Sequence, residues 1–175
     1  MWIVYFSQSC QVEEQFENKF KSKIDIGFDG TIGHFLGINF KCTWSKDGKA
    51  QVHLSQPAFI ENLLHEENLD GPAVTPANTL YKSSLPVDKI PALTLAPLDQ
   101  APLTKKMQHL IGSLTWLSIS TRPDVATITN MLAKYSAKPS QAHIDHVRYV
   151  LCYLKSHKRL DSTSHIKAIH CSNPM

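Results

Sequence analysis

The apolar positions of the chain change period several times, and each change marks an element. Residues 2–6, Trp2-Ile3-Val4-Tyr5-Phe6, are an unbroken β-rich apolar run with the composition of a buried strand. A polar break follows at Ser7-Gln8-Ser9. Val12, Phe16, Phe20 and Ile24 then recur every fourth residue, which predicts an amphipathic helix over 12–24. Glu13 and Glu14 sit in its first turn and Lys19, Lys21 and Lys23 towards its end, as the helix dipole favours. From residue 34 the period drops to two. Leu36, Ile38, Phe40, Cys42 and Trp44 alternate with more polar neighbours, and Ala50, Val52 and Leu54 alternate again beyond the turn Ser45-Lys46-Asp47-Gly48-Lys49. This predicts a β-hairpin over 34–54 with Asp-Gly at its tip, one face buried and the other wet.

Helical spacing returns after the hairpin. Ser55 is placed to cap a helix with Pro57 in its first turn, Phe59, Ile60, Leu63 and Leu64 form its apolar stripe, and Asp70-Gly71-Pro72 should stop it. Residues 71–103 hold most of the ten prolines and no long periodic pattern, the signature of an extended, partly mobile linker. Three amphipathic helices are expected beyond it. Thr104 opens the first, with Met107, Leu110, Ile111, Leu114 and Leu117 on one face. Pro123 begins the second, with Val125, Ile128, Leu132 and Tyr135. Ser140 caps the third, with Ile144, Val147, Leu151 and Leu154. Short connections should pack these three into a bundle. Periodicity fades from about His165, and the end of the chain should fray. The expected class is therefore α+β: an N-terminal strand, helix and β-hairpin with its following helix over 1–70, a proline-rich linker over 71–103, a three-helix bundle over 104–160 and a tail over 161–175.

Composition supports a folded chain. A length of 175 residues with 42% hydrophobic content can bury one core, and 19% charged residues is too few for global disorder. Charge is divided unevenly. Residues 1–100 carry 8 basic and 12 acidic side chains and residues 101–175 carry 10 and 3, which recovers the net charge of +3. A basic helical half suits either a polyanion partner or a well-solvated surface. Cys10, Cys42, Cys152 and Cys171 are scattered without a CxxC pair, so no disulfide framework is implied and a reducing compartment fits best. The opening apolar run has no basic residue before it and is too short for a signal peptide or a membrane span. A non-secreted, intracellular product without membrane contact is expected.

Several short motifs occur in a fixed order. Phe35-Leu36-Gly37-Ile38 precedes the hairpin, and Leu54-Ser55-Gln56, Phe59-Ile60, Leu63-Leu64 and Thr75-Pro76 follow it. The longest run, Ile111-Gly112-Ser113-Leu114-Thr115-Trp116-Leu117, leads into Thr121-Arg122-Pro123-Asp124-Val125. Pro139 then precedes His143, and Val150-Leu151-Cys152-Tyr153-Leu154-Lys155 closes the series. In this order and spacing, over roughly residues 12–155, the set resembles the copia-type (Ty1/copia) retrotransposon reverse transcriptase, an RNA-directed DNA polymerase. The ordered set is specific, whereas the Phe-Leu-Gly or Thr-Arg-Pro-Asp motif alone would carry little.

The resemblance implies that residues 1–70 are part of a palm, whose hairpin helps to hold the primer terminus. It implies that the later helices form a thumb that cradles an RNA/DNA template–primer duplex. The partners it implies are that nucleic acid and the remainder of a polyprotein. A duplex presents phosphates at regular spacing, and a basic helix surface binds them without reading sequence. The residues singled out for nucleic-acid binding are Gly37, Lys105, Lys106, Arg122, Lys134, Lys138, Arg148 and Lys155, with Lys158 and Arg159 as further basic positions. Each lysine and arginine taken singly fits an ordinary solvated charge better than a phosphate contact. Arg122, beside Pro123 and Asp124, also suits a structural helix start. Gly37 suits either a bulge or close approach to the primer strand.

Polymerase chemistry needs two metal ions held by clustered aspartates. The family supplies two of these from a Tyr-Val-Asp-Asp motif just before a short apolar strand like Trp2 to Phe6, and here no acidic residue precedes Glu13. The resemblance therefore implies a chain that starts after the catalytic pair. Such a chain has no catalytic residue, metal ligand or cofactor of its own (Mg²⁺ serves the full-length family) and is inactive alone. The outcomes to weigh are a truncated polymerase fragment, a non-catalytic nucleic-acid-binding module and a non-functional pseudogene product. Two departures from the family pattern stand out: Ser156 replaces the glycine usual after Tyr-Leu-Lys, and residues 162–175 match no motif. Asp29 and Asp47 each precede a glycine and read as turn residues. Cys152, His157, His165, His170 and Cys171 cluster late but lack zinc-finger spacing. No nucleophile motif, phosphate loop or dinucleotide fingerprint occurs.

Overall fold

A computed structural model describes residues 10–23, 33–44, 50–81, 97–158 and 162–165. The fold is α+β, as the periodicity predicts. The chain divides into two compact units, one of residues 1–54 and 163–175 and the other of residues 55–162. The strand expected at 2–6 lies outside the described residues.

In the first unit, α1 spans Cys10–Lys21, starting and ending slightly earlier than its apolar spacing suggested. Phe16 and Phe20, one turn apart, bring their ring centroids to 4.5 Å. Strands β1 (His34–Phe35), β2 (Ile38–Trp44), β3 (Ala50–Ser55) and β4 (Ser162–His165) form one sheet in the order β1-β2-β3-β4. β1 and β2 are antiparallel, with Phe35 opposite Ile38 and His34 opposite Asn39. That register leaves Leu36 and Gly37 as a two-residue turn, and both have positive φ, +50° and +77°. This is the backbone that the right-handed twist of a tight hairpin demands. Glycine adopts it freely, whereas leucine does so under strain. Thr43 on β2 meets His53 on β3 at 3.1 Å, a cross-strand pair that fits the expected 34–54 hairpin.

β4 differs from the expectation of a frayed tail over 161–175. Ser162-Thr163-Ser164-His165 has no apolar alternation, and its place in the sheet comes from backbone pairing beside β3. Backbone pairing of that kind leaves no mark on side-chain periodicity. Residues 166–175 lie outside the described residues.

The second unit is helical. α2 spans Pro57–Glu66, with Pro57 in its first turn and Gln56, not Ser55, at the N-cap position. It ends before the expected stop at Asp70-Gly71-Pro72, because Asn68 takes a left-handed φ of +54°. Asparagine tolerates that conformation at a helix C-terminus. α3 spans Pro97–Ser120 and so begins seven residues ahead of the expected Thr104. Pro97 supplies a preset φ at the first position, where its missing N–H costs nothing. Pro102 is accommodated inside the helix, and Leu103 packs on the core. The linker is correspondingly shorter than 71–103. A 3₁₀ turn at Pro123–Val125 leads into α4 (Ala126–Ala133), and α5 spans Gln141–Ser156.

The core positions read from the helical spacing over 104–160 are buried except Tyr135, which like Phe59 of α2 is partly buried. Met107, Leu110, Ile111, Leu114 and Leu117 of α3 meet Val125, Ile128 and Leu132, and Ile144, Val147, Leu151 and Leu154 of α5. Ile60, Leu63 and Leu64 of α2 join the same cluster. The described start of the linker is fixed along α5. Ala77 donates its N–H to the Cys152 carbonyl at 3.2 Å. Ser156 Oγ donates to the Ala77 carbonyl at 2.6 Å. Thr79 Oγ1 meets the Tyr149 hydroxyl at 2.9 Å.

Candidate nucleic-acid interface

α3 has two unlike faces. One carries the core leucines. Opposite it, Lys105, Gln108, Gly112, Thr115 and Ile119 fall within about 80° of one another at 100° per residue, and all five are exposed. Ile119 is 73% exposed, an unusual position for a large apolar side chain. Among the described residues, a Cβ added at Gly112 would meet nothing within 4 Å. Trp116 lies at the edge of this stripe and is half-buried.

The basic residues singled out in the sequence separate into two groups. Lys105, Lys134 and Lys138 are exposed, and no ion pair or hydrogen bond engages their side chains among the described residues. The others are already engaged within the helical unit. Lys106 Nζ lies 2.9 Å and Arg148 Nη1 2.7 Å from the same oxygen of Glu67, a buried carboxylate just past the end of α2. Lys155 Nζ donates to the carbonyls of Gly71 and Val74, at 2.7 and 3.2 Å. Lys158 pairs with Glu61 at 3.2 Å. Arg159 lies outside the described residues. Gly37 sits in the other unit, at the hairpin tip beside Leu36, which is 67% exposed.

Arg122 is 2% exposed. Its Nε and Nη2 grip both carboxylate oxygens of Asp124 at 2.9 and 2.7 Å, and Nη1 donates to the His157 carbonyl at 2.8 Å. Its guanidinium carbon lies 5.7 Å from the centroid of the Tyr153 ring, and the Tyr153 hydroxyl donates to Asp124 at 3.1 Å. Burial alone would raise the Asp124 pKa. The Arg122 hydrogen bonds and charge, helped by Tyr153, outweigh it and hold the carboxyl below the ordinary range. These contacts engage the guanidinium within the helical unit.

Gly112, Gln108 and Ile119 were not among the positions picked from the sequence. The available signal was a glycine within a strong 3.6-residue pattern, on its polar side, where it weakens the helix without an evident return. Among the described residues no group of three His, Cys, Asp or Glu side chains is placed to hold a metal ion. Nor is any described helix long and apolar enough to cross a membrane.

No protein-family model matches the chain, and no solved structure does. Curated proteins do match. The chain is 31% identical over 123 residues, 70% of its length, to the retrovirus-related Pol polyprotein from transposon RE2 of Arabidopsis thaliana. It is 28% identical over 123 residues to the corresponding polyprotein from transposon RE1 of the same plant. It is 26% identical over 105 residues to that from transposon TNT 1-94 of Nicotiana tabacum. It spans only 8%, 7% and 8% of these polyproteins. The chain is thus similar, over most of its length, to a region of retrotransposon Pol polyproteins, which supports a retroelement-derived origin.

Proposed function

We propose that this chain is the part of a copia-type reverse transcriptase that holds the template–primer duplex, with the exposed stripe of α3 laid against the nucleic acid. The observation that carries the reading is Gly112. A glycine inside a helix costs about 1 kcal/mol relative to alanine. Among the described residues nothing within 4 Å of Gly112 requires the missing side chain. We read the glycine as leaving room for a partner surface that comes close to the helix backbone. A hybrid duplex meets that need, because an A-form-like minor groove is wide and shallow and displays 2′-hydroxyls and base edges. Gln108 flanks Gly112 with an amide suited to such groups whatever the sequence, and Thr115, whose hydroxyl donates to the Ile111 carbonyl at 2.7 Å, offers its oxygen as an acceptor. Lys105 on the stripe, and Lys134 and Lys138 after α4, supply cations for phosphates. The likeness to Pol polyproteins and the ordered motifs of the sequence support the same assignment.

Gly112→Ala tests it. The added methyl meets open space, so the variant is expected to unfold at the same denaturant concentration as the parent or to gain about 0.5–1 kcal/mol. Its affinity for an RNA/DNA hybrid is expected to fall about tenfold, equivalent to about 1.4 kcal/mol. A variant that is more stable and binds the hybrid unchanged would overturn the reading.

A further inference from the structure

We propose that the joint between α4 and α5 is an acid-sensitive latch whose working part is the His143 ring. His143 is the third residue of α5 and is 0% exposed. It forms a capping box with Ser140, taking the place usually held by glutamate or glutamine. The Ser140 N–H donates to His143 Nδ1 at 3.0 Å. That bond makes Nδ1 an acceptor and places the ring proton on Nε2. The Ser140 hydroxyl, 2.7 Å from the same nitrogen, is then its second donor. In return the His143 and Ile144 N–H groups both point to the Ser140 carbonyl. The far side of the ring is also held. Tyr135, from the turn after α4, stacks on it with centroids 4.2 Å apart. His143 Nε2 is buried without a hydrogen-bond partner among the described residues.

Protonating this ring would put a proton on a nitrogen that already faces the fixed Ser140 N–H donor, leaving only the Ser140 hydroxyl able to turn and accept. It would also bury a cation whose other N–H has no acceptor. The charges around the ring do not compensate. His146 lies one turn along α5, with Nδ1 3.0 Å from the Ala142 carbonyl. Asp145 is exposed and engaged with Gln141 at 3.0 Å. Lys134 and Lys138 on the preceding turn are exposed cations. Burial first, then the charge of His146, lower the proton affinity of His143 below the ordinary histidine value. Below about pH 6.5 the unfolded chain therefore binds a proton that the closed joint refuses. Stability is full above that pH and is lost as the pH falls towards the value at which the folded ring titrates. The cheapest response is for the Ser140–His143 box to open and release the first turn of α5. The latch does not depend on which partner the helical unit binds.

The test follows imidazole ¹⁵N shifts and amide exchange in the full chain from pH 7.5 to 4.5. His143 is expected to remain neutral with its proton on Nε2 at pH 6. Protection at His143 and Ile144 should then fall on the order of tenfold per pH unit below about pH 6.5, before the folded ring itself titrates, while Leu114 and Leu117 keep theirs. His143→Gln retains an acceptor for the Ser140 N–H without a titrating group, so it should abolish that local loss. A ring that titrates near 6.5 with unchanged protection would overturn the proposal, as would an identical acid loss in His143→Gln. If the variant does not fold, the parent titration alone decides between these outcomes.

Discussion

Arg122 is held by groups that are far apart in sequence, and its contribution follows from that geometry. The Asp124 carboxylate satisfies one edge of the guanidinium, the His157 carbonyl another, and the Tyr153 ring lies near the group. Arg122→Ala removes this brace between the α3–α4 corner and the end of α5, and should destabilise the helical unit by about 3 kcal/mol. Arg122→Lys keeps the charge but lacks the planar fork, so it should recover only part of the loss. Urea unfolding followed by circular dichroism reads both, and a loss below about 0.5 kcal/mol for the alanine variant would contradict the brace. The sequence left Arg122 open between phosphate contact and helix start, because Arg122-Pro123-Asp124 is compatible with both. The bond from Arg122 Nη1 to a carbonyl 35 positions later is contained in no local pattern. Gly112 is the converse case. Its anomaly is local, a glycine in a strongly periodic helix, a signal the sequence carried but from which Gly112 was not picked.

At the scale of elements, legibility followed side-chain period. The core faces of α3, α4 and α5 could be read because leucine, isoleucine and valine recur at helical spacing and each such position is buried. The β2 and β3 runs could be read from their alternation, but Leu36, read as part of the first strand, lies with Gly37 in the turn between β1 and β2, and the Asp47-Gly48 tip lies outside the described residues. Elements fixed by other means could not. The first turns of α3 carry Pro97 and Pro102, which resemble linker sequence, and β4 is polar throughout. The linker beyond Gly71 looked extended in composition, yet Lys155 and Ser156 of α5 bind its carbonyls. Glu67 joins three elements in the same way, since it stands at the end of α2 and takes Lys106 from α3 and Arg148 from α5. Glu67→Gln keeps the shape and removes the charge, and should cost about 1–3 kcal/mol. The same unfolding experiment, repeated in high salt, should show a smaller difference between parent and variant. Equal stability at low salt would mean that the two cations are indifferent to the carboxylate.

For the whole molecule, the basic excess of residues 101–175 overstates the charge available to a partner. Arg122, Lys106, Arg148, Lys155 and Lys158 are all engaged within the helical unit. Of the described residues of that region, Lys105, Lys134 and Lys138 remain as exposed and unengaged cations. Binding to a duplex through these should be modest in affinity and should depend on salt in proportion to their number. The most direct test of the account is the affinity of the chain for an RNA/DNA hybrid, measured by fluorescence anisotropy across about 50–200 mM salt. It predicts a log–log slope of about −3, as expected for about three phosphates, and a slope near zero when Lys105, Lys134 and Lys138 are all alanine. Absence of binding at the lowest salt, or an affinity that does not respond to salt, would contradict it.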